Sequence, residues 1–282
     1  MPAIPPGVPA EMKNPLSSFL SVNLPNLVGK NSLTTGKPTM FGGYSAHFLS
    51  HILFFIVTAS GNCFAASIYT LGPTKDLVIS FASLGMAILS LFISHSANRA
   101  SKEDIPLPKS RVNIFDRGLM YEFKRPMDFV SDITLYELLA MSFVLLAGNI
   151  KNGNTWPAYG TIYTESIILV FGTCELLKNL ILRYRPYCYF GDVPSGKNRE
   201  YYKSFPSRHT AFAFMSAGLF TFTFFTEYPN SSWKFPLIIA SYFLAAGVGF
   251  SRILSGNHFR SDVLTGAALG SVYGYLIPWL HL

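Results

Sequence analysis

The sequence predicts an all-α protein, a polytopic bundle of transmembrane helices. Three observations predict it. Half of the 282 residues are hydrophobic and only 13% are charged, against about a quarter in a typical soluble domain. The apolar residues gather in runs near the roughly 20 residues a helix needs to cross the hydrocarbon core. Ionisable residues cluster at the ends of these runs. In lipid a helix satisfies its own backbone hydrogen bonds, so each run is read as helical.

Residues 1–44 are rich in Pro, Gly, Ser and Asn and include Pro2, Pro5, Pro6 and Pro9. They lack the basic start and short apolar core of a secretory signal and read as an irregular or surface-lying arm. Residues 45–98 hold the first two apolar runs, Ser45–Tyr69 and Leu77–His95. Five more follow: Ile133–Gly148, Tyr159–Leu177, Ala211–Thr226, Phe235–Ile253 and Val263–Leu280. Trp156, Trp233 and Trp279 fall near run ends, as an interfacial aromatic belt requires. Residues 99–131 form a basic segment carrying Arg99, Lys102, Lys109, Arg111, Arg117, Lys124 and Arg125 with interleaved Ile114, Phe115, Leu119, Met120 and Phe123. It fits an amphipathic surface helix and equally a solvated loop with a short helix. Residues 132–282 read as the catalytic helical core. Within it Gly266, Gly270 and Gly274 recur every four residues, the spacing that lets helices approach closely inside a bundle.

The formal net charge of +7 suits an anionic lipid surface or an anionic substrate. Nucleic acid is the poorer reading, because the basic residues lie between membrane-type runs. Cys63, Cys174 and Cys188 show no metal-type spacing, and no carboxylate cluster suggests a metal.

Three clusters carry the chemistry. In the first, Lys178 and Arg185 stand seven apart before Pro186. On a continuous helix that is nearly two turns, so both would share one face. Such a pair suits phosphate, with Arg as a fork and Lys as a point charge; snorkelling basic residues at a helix end fit as well. The second is Phe205-Pro206-Ser207-Arg208-His209-Thr210. A helix N-terminus offers free N–H groups to an anion, Ser207 adds a hydroxyl, and histidine is a residue type that can titrate near neutral pH; an ordinary helix start with a chance histidine, His209, fits as well. The third runs from Ser251 and Arg252 to His258 and Asp262. A four-residue spacing makes the last two neighbours on a helix face. A carboxylate that holds one imidazole nitrogen leaves the other free to attack; a pair that merely stabilises a helix fits the spacing as well.

Together, Lys-x6-Arg-Pro, then Pro-Ser-x-His, then Ser-Arg-x5-His-x3-Asp resembles the tripartite signature of the type 2 phosphatidic acid phosphatase (PAP2) family, which vanadium haloperoxidases share. The resemblance covers about residues 130–282, and the stretches around Phe115-Asp116-Arg117 and Ser131-Asp132 also look like bacterial members. It departs from the family at Arg208, where the usual pattern has glycine.

The resemblance implies a six-helix core, with the first pair of runs adding a span or hairpin, and a metal-independent, cofactor-free phosphatase of lipid phosphates or pyrophosphates. It implies that His258 attacks phosphorus, that Asp262 orients and charges it, and that His209 protonates the leaving group and then activates water. Lys178, Arg185 and Arg252 would neutralise the phosphoryl oxygens, helped by Ser207 and Arg208. Substrates such as phosphatidic acid, phosphatidylglycerol phosphate, polyprenyl pyrophosphate and lipid A phosphates all remain open, and no obligate protein partner is expected. The implied location is a bacterial inner membrane with the site facing outward. A lipid phosphotransferase and a silent lipid-binding member are the alternatives.

Overall fold

The computed structural model describes residues 69–97, 105–147, 156–191, 193–194 and 201–282. The run expected at Ser45–Tyr69, apart from Tyr69 itself, and the arm at residues 1–44 lie outside these residues. Six long helices follow in order: α1 (Pro73–Ala97), α2 (Arg125–Ala147), α3 (Trp156–Leu180), α4 (Arg208–Glu227), α5 (Lys234–Leu254) and α6 (Arg260–Leu280). No strand occurs among the described residues. Each of the later six apolar runs falls on one of these helices, the third as far as Ala147.

The helix α4 is the hub, packed against α2, α3, α5 and α6, while α1 packs on α3. Its sequence is apolar nearly all round, and buried residues run from Thr210 to Glu227. A helix with no polar face belongs in an interior. The closest pairing is with α6, and the glycine stripe explains it. A Cβ at Gly266 would meet the carbonyl of Ser207, one at Gly270 the carbonyl of Ala211, and one at Gly274 would come 3.1 Å from Cα of Gly218. The three glycines therefore bring two backbones together inside the bundle.

Outward faces are apolar. On α1 Leu77, Val78, Phe81, Leu84 and Phe92 are exposed, and on α5 Phe235, Ile239, Phe243 and Phe250, with Phe243 at 79%. Rows of large apolar side chains exposed along two helices are unfavourable in water; lipid accepts them. Three described helices are long and apolar enough to cross a membrane: Ala158–Leu180, Lys234–Leu254 and Arg260–Leu280. The chain is a membrane protein. Trp233 and Trp279 are exposed at the same end of the bundle, the start of α5 and the finish of α6.

That end is closed by polar contacts. Lys75 Nζ donates to the Leu280 carbonyl at 2.8 Å. The buried ring of His281 lies 3.3 Å from Asp76 and 3.4 Å from Glu165.

The basic segment takes the second of its two sequence readings, a loop with short helical turns: Lys109–Arg111 forms one 3-10 turn and Ile114–Arg117 one α turn before α2 begins. One boundary differs from the sequence reading. The division expected between residues 131 and 132 falls inside α2, which begins at Arg125. Hydropathy places the start at Ile133 because the first two turns carry Asp128, Ser131 and Asp132, which turn out to point inward.

Candidate active site

At the end of the bundle opposite His281, a cavity of about 400 Å³ is lined by Asp128, Asp132, Glu175, Lys178, Arg185, Lys203, Arg208, His209, Arg252 and His258. Six of the eight expected site residues meet here: Lys178, Arg185, Arg208, His209, Arg252 and His258. Ser207 and Asp262 do not line it.

The convergence of Lys178 and Arg185 is not that of one helix face. The helix α3 stops at Leu180, and Arg185 sits in extended backbone with φ −76° and ψ 153°. The chain turns back because the Arg185 N–H donates to the Tyr201 carbonyl at 2.7 Å and the Ser204 N–H donates to the Arg183 carbonyl at 3.0 Å. Pro186 then opens a short 3-10 turn, as its fixed φ allows.

Ser207 is the N-cap of α4. Its Oγ lies 2.8 Å from Thr210 Oγ1 and accepts from the Thr210 N–H. Its own N–H donates to the Asp262 carbonyl at 3.0 Å. Capping uses the hydroxyl as an acceptor, and Ser207 stands beside the cavity without lining it. His209, one residue into the helix, faces the cavity.

The third cluster differs most. His258 precedes α6, so it and Asp262 are not stacked on a helix face. The His258 Nδ1–H donates to the Ser204 carbonyl at 2.7 Å, while Asp262 lies 3.7 Å away. Asp262 is saturated elsewhere. It accepts from Ser204 Oγ at 2.5 Å, from the Phe259 N–H at 2.8 Å and from Arg183 at 2.5 Å. The carboxylate is thus linked to His258 through Ser204. The consequence for the ring is the same: Nδ1 carries a proton, and Nε2 is left with its lone pair.

Gly256 makes the turn into this loop. Its φ is +69°, and a Cβ there would overlap the carbonyls of Tyr121 and Glu122; only glycine fits. The neighbouring Asn257 accepts from Arg185 at 3.0 Å and donates to Asp128 at 3.0 Å.

Electrostatics follow from this crowding. Burial first, then Arg185, Arg252, Lys178 and His209, hold His258 well below the ordinary histidine range. Its ring is therefore held in the neutral form. Arg252 donates to Asp128 at 2.5 Å and to Ser131 Oγ at 2.9 Å. Arg208 donates to Glu175 at 2.6 Å, and Glu175 also lies 3.8 Å from Lys178.

Asp128 and Arg183 were not singled out from sequence, and Asp132 and Asp116 were noted only as part of the family resemblance, with no role. Asp128 and Asp132 come from the first turns of α2, and His209 Nε2 lies 2.9 Å from Asp132. Two acids four residues apart at the start of an apolar run were the available signal. Arg183, two residues before Arg185, bonds Asp262, Ser261 and Asp116. Asp116 is fully buried. Burial would raise it, but donors from Ser261, Arg183 and Asn113 outweigh that and hold it below the usual carboxylate range.

Fold and site define a membrane-embedded helical protein with a histidine pair inside a cationic cavity. The family model of the PAP2 superfamily matches residues 159–282. The bacitracin transport permease protein BcrC of Bacillus licheniformis is 31% identical over 167 residues, covering 59% of this chain and 76% of that protein. The chain belongs to the PAP2 superfamily. It is also 42% identical over 77 residues to the lipid A 1-phosphatase of Porphyromonas gingivalis, covering 27% of this chain and 16% of that protein's length. Among solved structures, a transmembrane PAP2 type phosphatidylglycerolphosphate phosphatase from Bacillus subtilis is 21% identical with a TM-score of 0.41, over 84% of this chain and 96% of that one.

Proposed function

We propose that the protein hydrolyses the phosphate or diphosphate of a membrane lipid through a phosphohistidine on His258, without a metal. The observation that carries this reading is the fixed, neutral His258, whose Nδ1–H is held by the Ser204 carbonyl at 2.7 Å beside Lys178, Arg185, Arg252 and His209 in one cavity. Phosphoryl transfer is mostly positioning and charge stabilisation, and three cations suit the three non-bridging oxygens. The lone pair of Nε2 forms the N–P bond as the P–O bond to the lipid breaks. Its electron pair leaves with the lipid oxygen, which takes a proton from His209. Water then attacks phosphorus and gives a proton to His209, and the N–P pair returns to His258.

The lipid substrate enters from the bilayer, with its phosphate in the cavity and its chains among the helices. The name of a relative reported above, lipid A 1-phosphatase, supports a phosphate on an apolar anchor. The site faces outward from a bacterial inner membrane in this reading.

The test is phosphate release by the purified protein in EDTA from phosphatidic acid, phosphatidylglycerol phosphate, a polyprenyl diphosphate and lipid A, beside His258→Ala. Release that persists in EDTA and disappears in the variant supports the mechanism. Phosphate that stays on the wild-type protein until an acceptor is added would instead mark a phosphotransferase. Full release by the variant would sink the histidine reading.

A further inference from the structure

The first turns of α2 put two carboxylates into the cavity one helical turn apart, and they have different partners. Asp128 takes Arg252 at 2.5 Å and the Asn257 amide at 3.0 Å. Asp132 Oδ1 takes His209 Nε2 at 2.9 Å and stands 3.8 Å from Arg252. Because Asp128 engages Arg252 directly, Asp132 is left to the imidazole. Both residues lie upstream of the part of the chain matched by the family model, residues 159–282.

The charges facing His209 are Arg252 from α5, Arg208 from its own helix and Asp132 from α2. Burial and the two cations oppose an imidazolium there, and Asp132 is the carboxylate that favours it. A bound phosphate dianion offsets the two cations, and Asp132 then fixes one ring proton on Nε2. The second proton, on Nδ1, is the one to be given away.

We infer that Asp132 is the positioning residue that equips His209 as a general acid, and that it decides whether the enzyme can expel an alkoxide. This rests on the phosphohistidine reading above. The chemistry separates two substrate classes. A lipid phosphomonoester must lose an alkoxide, whose conjugate acid has a pKa far above neutrality, so the bridging oxygen needs a proton as the P–O bond breaks. A lipid diphosphate attacked at its terminal phosphorus loses a phosphomonoester, which departs as a stable anion and needs little protonation. Asp132 therefore matters for monoesters and hardly at all for diphosphates in the first half-reaction. In the second half-reaction His209 receives the proton of the attacking water, a step shared by every substrate.

The experiment compares the full-length protein with Asp132→Asn on phosphatidic acid, diacylglycerol diphosphate and p-nitrophenyl phosphate. The first two share a lipid and differ in leaving group; the third is a monoester with a good leaving group. General acid catalysis contributes about 10²–10⁴-fold. The expected result is a fall of about 10²-fold or more in kcat/KM for phosphatidic acid, with less than about 10-fold for the other two. The shared dephosphorylation step lowers kcat for all three, and KM falls with it for the good leaving groups. His209→Ala shows the same selectivity, and adding Asp132→Asn to it changes nothing further, since residues acting as a unit are not additive. An equal fall in kcat/KM on all three substrates would reduce Asp132 to a structural residue and overturn the inference, as would no fall on any. His258→Ala separates the two readings. If it still hydrolyses all three substrates, the phosphohistidine mechanism fails; if it hydrolyses none while Asp132→Asn lacks selectivity, only the inference about Asp132 fails.

Discussion

Arg183 bridges two buried carboxylates, donating to Asp262 at 2.5 Å and to Asp116 at 2.7 Å while its guanidinium lies 4.1 Å over the Phe259 ring. It ties the segment before α2 to the start of α6. Through Asp262 and Ser204 it reaches the Nδ1 side of His258.

Removing that cation leaves two fully buried acids without it. Breaking one side of such a pair costs about 3–5 kcal/mol. Arg183→Gln should therefore lower the thermal midpoint in detergent by many degrees and abolish phosphate release. Arg183→Lys keeps the charge but cannot fork to both acids; it should recover most of the stability and little of the activity. A wild-type midpoint for the glutamine variant would refute this account.

Arg208 makes a partly exposed pair with Glu175, and such pairs contribute about 0–1 kcal/mol to stability. Arg208→Gly, which restores the usual family residue, should leave the thermal midpoint within a degree or two. If Arg208 contacts substrate phosphate, the same change raises KM about tenfold or more, the worth of one charge-assisted hydrogen bond. Glu175→Gln releases Arg208 and Lys178 from their shared carboxylate and should lower the inhibition constant of inorganic phosphate. Unchanged KM and inhibition in both variants would remove the pair from the phosphate site.

The pH dependence of stability has a definite sign. His258 takes up its proton well below the ordinary histidine value when folded, and near pH 6.5 when unfolded. Between those values the unfolded chain binds more protons, so stability falls as pH drops below about 6.5. Asp116, held low when folded, adds a further loss only below about pH 4. Unfolding followed from pH 8 to pH 5 should show a shallower acid decline for His258→Gln than for wild type. Identical slopes would show that His258 is not held neutral by its surroundings.

Gly270 offers a stability test remote from the chemistry. A methyl group there would overlap the Ala211 carbonyl and come 2.9 Å from the Met215 N–H. Overpacking typically costs about 1–3 kcal/mol, and a backbone contact cannot rotate away. Gly270→Ala should reduce stability by at least that range, whereas Gly247→Ala, with nothing within 4 Å of its Cβ position, should be neutral. Circular dichroism melts of the two variants decide it.

The helices and the motif residues were legible because each leaves a one-dimensional trace. Apolar runs mark the helices, and Lys178, Arg185, His209, Arg252 and His258 stand at run ends where ionisable residues are costly without a role. What spacing could not supply was geometry across breaks in the helices. Lys178 and Arg185 read as one face, yet α3 ends between them. His258 and Asp262 read as a stacked pair, yet the loop through Gly256 and Asn257 directs Nδ1 to a main-chain carbonyl instead. Backbone partners leave no side-chain signature, so Ser204 was invisible. Asp128 and Asp132 were visible as charges, but a hydropathy boundary at Ile133 left them outside the helix that carries them.

The glycine stripe on α6 has a consequence for how a substrate can arrive. His209 rides on the first turn of α4, and His258 directly precedes α6. Where main chain rests on main chain, the spacing between those two helices is set by bonded geometry and has no rotamer to relax into. The two histidines therefore keep a fixed gap, like the jaws of a locked caliper. Room for an acyl chain has to come from an element held by softer contacts. The helix α2 meets the others through side chains such as Leu135, Leu138 and Met141. Tail bulk should then be felt in the rate of admission and leave the chemical step unchanged.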